Sequence, residues 1–154
     1  MTLSEIVVDM RKLTGIHDLA LDPDTRACRL VFGGVYEVEF EEAPARGAEM
    51  FFMHSVVGPL PPSAPSAVFA RLLRAGLFGR ETGGAQIGYD DTRQEVILFQ
   101  RMDTRHLDMP AFTRELDYFL AVLKDQQRQL THGTQDEGHP EPRAPYEPNS
   151  LIRG

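Results

Sequence analysis

The sequence has one cysteine, no tryptophan and fewer basic than acidic residues, and these shortages exclude several classes of protein. Cys28 has no second cysteine to pair with, so a disulfide-stabilised secreted domain is excluded and a reducing compartment is expected. The 16 Lys and Arg against 23 Asp and Glu give a formal net charge of −7. A nucleic-acid backbone is therefore not expected as the main partner, because such binding relies on Lys and Arg.

Long apolar runs are also missing. No stretch approaches the roughly 20 residues that a helix needs to span a bilayer, so no membrane insertion is expected. The N-terminus does not resemble a secretory signal, because charged residues interrupt any apolar core there: Glu5, Asp9, Arg11 and Lys12. Both observations predict a cytoplasmic protein.

The 154 residues are 42% hydrophobic and 25% charged, which is ordinary for a globular protein with one core. Apolar periodicity continues through residues 1–128 and predicts one domain there. From Gln129 the pattern stops, and four prolines follow at 140, 142, 145 and 148. We predict that 129–154 is a flexible, Pro-rich C-terminal tail, because it has too little apolar surface to order itself.

Local patterns predict the order helix-β-β-β-helix-β-β-helix. Thr2 and Glu5 have the spacing of a capping box, and Gly15 is a suitable C-terminal stop. Gly33-Gly34 predicts a two-residue hairpin turn. Ser66 and Asp108 are predicted to cap the second and third helices. The fold class is therefore α+β, with helices packed on a twisted antiparallel sheet.

The glycine-rich stretch at 79–84 has the GxxxxG spacing of a phosphate-binding loop, but the rest of the motif is absent. Ala85-Gln86 stands where Lys and Ser/Thr must contact phosphate and Mg²⁺. The segment also joins a helix to a strand, whereas a phosphate-binding loop joins a strand to a helix. We interpret these glycines as a helix stop and a tight entry into a strand.

Residues of catalytic type do not form a recognisable active site. Cys28 falls on the apolar side of a predicted strand and is interpreted as a packed thiol. Paired acids such as Glu41-Glu42 and Asp90-Asp91 lie in turns, where solvated charge is expected. The histidines lack metal-binding spacing: His17, His54, His106, His132 and His139. We predict no catalytic residues, no metal and no cofactor.

Apolar strand surface is more abundant than a domain of this size can readily enclose. "MFFMHSVV" and "VILF" are apolar on both strand faces. Either the three helices cover both faces, or part of this surface is a subunit interface and part binds a peptide. The second interpretation predicts a homodimer.

Several short motifs resemble a known family. These are Leu77-Phe78 at a helix end, Thr82-Gly83-Gly84-Ala85, the acidic turn Asp90-Asp91 and the strand Val96-Ile97-Leu98. Together with the element order, they resemble the class I effector chaperones of bacterial type III secretion, the Tir-chaperone (CesT-like) family. The likeness covers roughly residues 3 to 125.

The resemblance implies a non-enzymatic homodimer in the bacterial cytoplasm. Such a dimer binds the N-terminal chaperone-binding region of a type III secreted effector in extended form and keeps it stable and secretion-competent. A secretion-apparatus ATPase is a further candidate partner. The dimer-interface residues carried over from the family are Leu72, Leu73, Leu77, Phe78 and Ile87. The effector-binding residues carried over are Ile6, Val7, Met10, Val31, Val35, Phe51 and Met53.

Two other functions stay open at this point. The same surface could bind and titrate a secretion regulator instead of an effector. Alternatively, the chain could be a small α+β enzyme, which would require His54 or another histidine to meet two carboxylates inside a deep pocket.

Overall fold

The computed structural model describes residues 1–43 and 47–133, which form three helices and five strands. Two short 3₁₀ turns lie at Leu77–Gly79 and Thr104–His106. The elements in chain order are α1 (Leu3–Thr14), β1 (Ala27–Phe32), β2 (Tyr36–Ala43), β3 (Gly47–Pro59), α2 (Ser66–Gly76), β4 (Gln86–Asp90), β5 (Glu95–Asp103) and α3 (Met109–Gly133). This is the predicted order.

The five strands form one antiparallel sheet in the order β1-β2-β3-β5-β4. β3 and β5 share the longest pairing, which runs from Met50↔Asp103 to Pro59↔Glu95. Within the described chain, β1 and β4 are the two edge strands. The predicted α+β class with helices on an antiparallel sheet is confirmed.

Two of the three predicted N-terminal helix caps are present. The Thr2 hydroxyl accepts a hydrogen bond from the Glu5 amide at 3.3 Å, and the Glu5 carboxylate accepts one from the Thr2 amide at 2.8 Å. At α3, the Asp108 carboxylate accepts from the Ala111 amide at 2.8 Å. The Ser66 cap is wrong: Ser66 is the first residue of α2, and Pro65 precedes it with no side-chain cap.

The β1–β2 hairpin has a loop one residue longer than predicted. Phe32 pairs with Tyr36, which leaves Gly33, Gly34 and Val35 in the loop. Both glycines have positive φ, and the Val35 amide closes the turn on the Phe32 carbonyl at 3.2 Å. Val35 is consequently exposed at the tip of the hairpin.

All three helices contribute to one core on a single face of the sheet. Alternate residues of β3 and β5, such as Phe51 and Leu98, join buried residues of α1, α2 and α3 in that core. The Phe112 ring of α3 lies 5.7 Å from the Phe40 ring and 6.3 Å from the Phe51 ring. On the opposite face, Phe52 and Phe99 are only partly buried and pack edge to face at 6.3 Å.

The last helix runs beyond the domain boundary that was placed at residue 128. α3 continues to Gly133, and Leu130 in this added turn is buried against the core. The apolar periodicity therefore includes one more position than the sequence pattern suggested. The remainder of the predicted tail, 134–154, lies outside the described residues.

Candidate protein-interaction surfaces

The glycine-rich segment between α2 and β4 is held by close backbone contact. Gly79 has a φ of +65°, and a Cβ at that position would lie 2.6 Å from the Gly84 nitrogen and 2.7 Å from its Cα. The GxxxxG spacing thus brings two chain segments together where no side chain fits. This agrees with the architectural interpretation of the loop.

The next residues tie the loop to α3. The Thr82 side chain is fully buried, and its hydroxyl donates to the Ala85 carbonyl. The Gln126 side-chain amide of α3 donates to the Glu81 carbonyl at 3.3 Å. These contacts fix the point at which β4 enters the sheet, beside α2.

An apolar groove of about 590 Å³ opens between α2 and β4. Its lining includes Leu60, Phe69 and Tyr89; the Phe69 and Tyr89 rings pack edge to face at 5.9 Å, and the Tyr89 hydroxyl donates to the Leu60 carbonyl at 2.9 Å. The lining of this α2–β4 groove is completed by Leu72, Leu73, Gly76, Leu77, Phe78, Gln86, Ile87, Gly88 and Val96.

All five residues predicted for a dimer interface line this groove: Leu72, Leu73, Leu77, Phe78 and Ile87. Leu72 is buried and Ile87 is partly buried, so they form its inner wall. Leu73 and Phe78 stand at the rim, where 79% and 86% of their respective surfaces are exposed. The structure therefore brings the five together and leaves Leu73, Leu77 and Phe78 exposed in one subunit.

The seven residues predicted to bind an effector do not form one surface. Five are core residues in this subunit: Ile6, Val7, Met10, Phe51 and Met53. The reason is that the apolar stripe of α1 packs on the same sheet face as Phe51 and Met53, so the two sets cover each other.

Val31 and Val35 do lie on the surface, with 55% and 71% of their areas exposed. Val31 is near the end of the edge strand β1, and Val35 is in the loop that follows it. We call this pair the edge valines. Leu13, in the last turn of α1, and Ile16, just after the helix, are also exposed but were not among the predicted site residues. Leu13 fits the apolar spacing of α1, but it lies beyond Met10, the last helix residue that the core buries.

Charged residues on the uncovered face of the sheet pair with one another. Arg29 of β1 contacts Glu37 at 3.3 Å and Glu39 at 3.1 Å. His54 Nε2 lies 3.6 Å from one Glu41 carboxylate oxygen. Among residues 1–43 and 47–133, no group of three or more His, Cys, Asp or Glu side chains could hold a metal ion.

Cys28 is a buried thiol in β1. Burial, and to a lesser extent the nearby Glu39 carboxylate, raises the pKa of Cys28 to about 11. The thiol is therefore protonated at neutral pH, whereas a reactive cysteine needs a lowered pKa.

None of the described helices combines the length and the apolar character that crossing a bilayer requires.

Residues 9–127 match the Tir chaperone protein (CesT) family. The chain belongs to this family. The family predicted from the short motifs is thereby confirmed, and the chain has the predicted function class, that of an effector-binding chaperone of type III secretion. The family is one of non-enzymatic chaperones that are in general cytoplasmic.

Solved structures share the fold of this CesT-family chain. A chain of the HopA1–SchA chaperone–effector complex is 17% identical with a TM-score of 0.66, over 80% of this chain and 91% of that one. A chain of the ExsC–ExsE complex is 20% identical with a TM-score of 0.68, over 84% and 97%.

A third similar chain comes from the heterodimeric ExoU–SpcU complex of the Pseudomonas aeruginosa type III secretion system. It is 16% identical with a TM-score of 0.58, over 86% of this chain and 98% of that one. The search of curated proteins gave no match.

Proposed function

We propose that this chain acts as a homodimer that binds the N-terminal region of a type III secreted effector as an extended segment and keeps it secretion-competent. The observation that carries the proposal is the presence of two separate exposed apolar surfaces on a CesT-family fold: the α2–β4 groove and the edge valines. The solved complex of HopA1 with SchA, a chaperone–effector complex of the same fold, supports it.

The α2–β4 groove suits a second copy of the chain. A two-fold interface places the same patch of each subunit against the other, so the groove and its exposed rim would meet their equivalents. Leu73, Leu77 and Phe78 together expose large apolar side chains at one place, which single subunits in water seldom do. Burial of this patch would supply the main free energy of association.

The edge valines suit an extended peptide. β1 pairs with β2 on one side, and its other side has no strand partner among the described residues. An added strand could form main-chain hydrogen bonds there, which tolerate varied sequences, while apolar contacts with Val31 and Val35 would select the segment. Ordering a disordered segment costs on the order of 2–5 kcal/mol, so contacts beyond these two residues are required. Exposed Leu13 and Ile16 are candidates for them.

The two surfaces are far enough apart to be used together. β4 and β1 are opposite edges of the five-stranded sheet, and four inter-strand spacings separate them by about 19 Å. One subunit can therefore contact its twin at β4 and a client at β1. In this proposal the complex forms in the bacterial cytoplasm and is handed to the secretion apparatus, with its ATPase as the candidate recipient.

Co-expression tests this function. The full chain is co-expressed with the N-terminal regions of proteins encoded by neighbouring genes, and any purified complex is measured by light scattering. We expect one effector segment per two chains. The proposal would be refuted if the chain had the mass of a monomer and no effector fragment changed that mass. Capture of a secretion regulator in place of an effector would favour the titrating function.

Charge at the edge valines should weaken effector binding without separating the dimer. We expect Val31→Asp combined with Val35→Asp to weaken binding of the co-expressed effector segment at least about tenfold, because the peptide would have to desolvate two carboxylates. Isothermal titration calorimetry measures the change. The matched control, Val31→Thr combined with Val35→Thr, keeps β-branched side chains and adds no charge, so its affinity should stay within about threefold. Equal affinities for both double variants would exclude this edge as the effector site.

A further inference from the structure

Phe78 combines an unfavourable backbone conformation with an unburied aromatic ring. Its φ is +55° and its ψ is 22°, in the left-handed region that residues with a Cβ seldom occupy. Such strain persists only where the surroundings enforce it, and it is concentrated at functional positions. The ring is 86% exposed, so its burial within the same subunit does not offset the strain.

The neighbouring residues enforce this conformation. Gly79 follows with its own positive φ and lies against the Gly84 backbone. The Arg80 amide donates to the Leu77 carbonyl at 3.3 Å, which closes the turn around Phe78. The Arg80 guanidinium carbon is 6.0 Å from the Phe78 ring centroid. The ring is thereby held out from the rim of the α2–β4 groove.

Two other residues with side chains and positive φ provide a comparison. Arg26, at φ 56°, donates to the Glu42 carboxylate at 3.1 and 2.9 Å, so contacts inside the subunit offset its strain. Gln94, at φ 57°, closes the β4–β5 turn, and its carbonyl accepts from the Leu60 amide at 2.8 Å. Phe78 differs from both, because its side chain points to solvent beside an apolar groove.

We propose that Phe78 is a reciprocal anchor: each subunit inserts this ring into the α2–β4 groove of its twin. The inference rests on the proposed homodimer. A projecting group next to a cavity on one patch forms two identical insertions when a two-fold axis relates the subunits. Phe69 and Tyr89 in the groove lining offer edge-to-face partners for the incoming ring. Each groove is then complete only when the second copy supplies Phe78.

Substitution with glycine separates the ring from the strain. Phe78→Ala removes the ring and keeps the strained backbone, whereas Phe78→Gly removes both. We expect both to weaken the full-length dimer by about thirtyfold or more, as loss of a central aromatic anchor does. We expect the separated Phe78→Gly subunit to have an unfolding equilibrium constant about threefold to tenfold below that of Phe78→Ala.

Sedimentation equilibrium measures the dissociation constants of the dimers. Urea titrations at protein concentrations below those constants measure the unfolding equilibrium of the separated subunits. The control is Gln94→Gly, which relaxes the same φ outside the groove and should leave the dimer unchanged. A wild-type chain that is monomeric at every concentration would refute the proposed dimer itself. If the wild-type chain dimerises and both Phe78 variants have dissociation constants within about threefold of its own, the anchor is refuted but the dimer is not. A Phe78→Gly subunit no more stable than Phe78→Ala would refute the role of strain.

Discussion

Leu73→Glu should convert the proposed dimer into separate folded subunits. Leu73 exposes 79% of its surface in one subunit, so glutamate there is solvated and α2 should form unchanged. In the dimer, two copies of the carboxylate would enter the apolar interface without a partner. We expect the dissociation constant to rise about a thousandfold, since an uncompensated buried charge costs several kcal/mol.

Leu13→Glu is the matched control for this substitution. Leu13 is in α1, 74% exposed, and does not line the α2–β4 groove. Light scattering should give the mass of two chains for Leu13→Glu and of one chain for Leu73→Glu, with the same circular dichroism for both. A Leu73→Glu chain that keeps the mass of two chains would place the interface elsewhere.

Gly79→Ala should cause a large loss of fold stability. The alanine would have to adopt the positive φ of this position, which a Cβ makes unfavourable. Its Cβ would also lie 2.6 Å from the backbone nitrogen of Gly84. A backbone atom cannot move away by a rotamer change, as a flexible side chain can, so the whole loop would have to open. We expect the free energy of unfolding to fall by about 2–4 kcal/mol in urea titrations.

Gly34→Ala isolates the conformational part of that cost. Gly34 has a φ of +72°, but nothing lies within 4 Å of its Cβ position. We expect it to lower the free energy of unfolding by only about 1–2 kcal/mol. Equal losses for the two substitutions would mean that the Gly79–Gly84 contact contributes nothing. Loss of the dimer along with stability in Gly79→Ala is also expected, because this loop positions Phe78 and β4.

Much of the fold could be predicted because it depends on local chemistry. The Thr2–Glu5 capping box and the Asp108 cap need only neighbours within three residues. Strand alternation in β1 and β2 correctly separated Val38 and Phe40 from Glu37 and Glu39. The errors at Ser66 and at the hairpin turn concern single hydrogen bonds, for which several neighbouring residues were equally suitable.

The effector surface could not be predicted in the same way. Helical spacing showed that Ile6, Val7 and Met10 form an apolar face, but spacing does not say what covers that face. In this chain the sheet covers it, through Phe51 and Met53. Leu13 and Phe78 are exposed although both are apolar like the core residues: Leu13 lies beyond Met10, the last buried residue of α1, and Phe78 lies in the 3₁₀ turn after α2. Only the three-dimensional arrangement separates these groups.

Hydroxyl-radical footprinting of the wild-type chain tests the central claim most directly, namely that the α2–β4 groove is buried against a second copy. In one subunit Phe78 is 86% exposed and Val35 is 71% exposed, so both should be oxidised in a monomer. At concentrations where light scattering gives the mass of two chains, we expect strong protection of Phe78 and Leu73 while Val35 stays reactive without effector. Phe78 and Leu73 oxidised as readily as Val35 in that dimer would contradict the account.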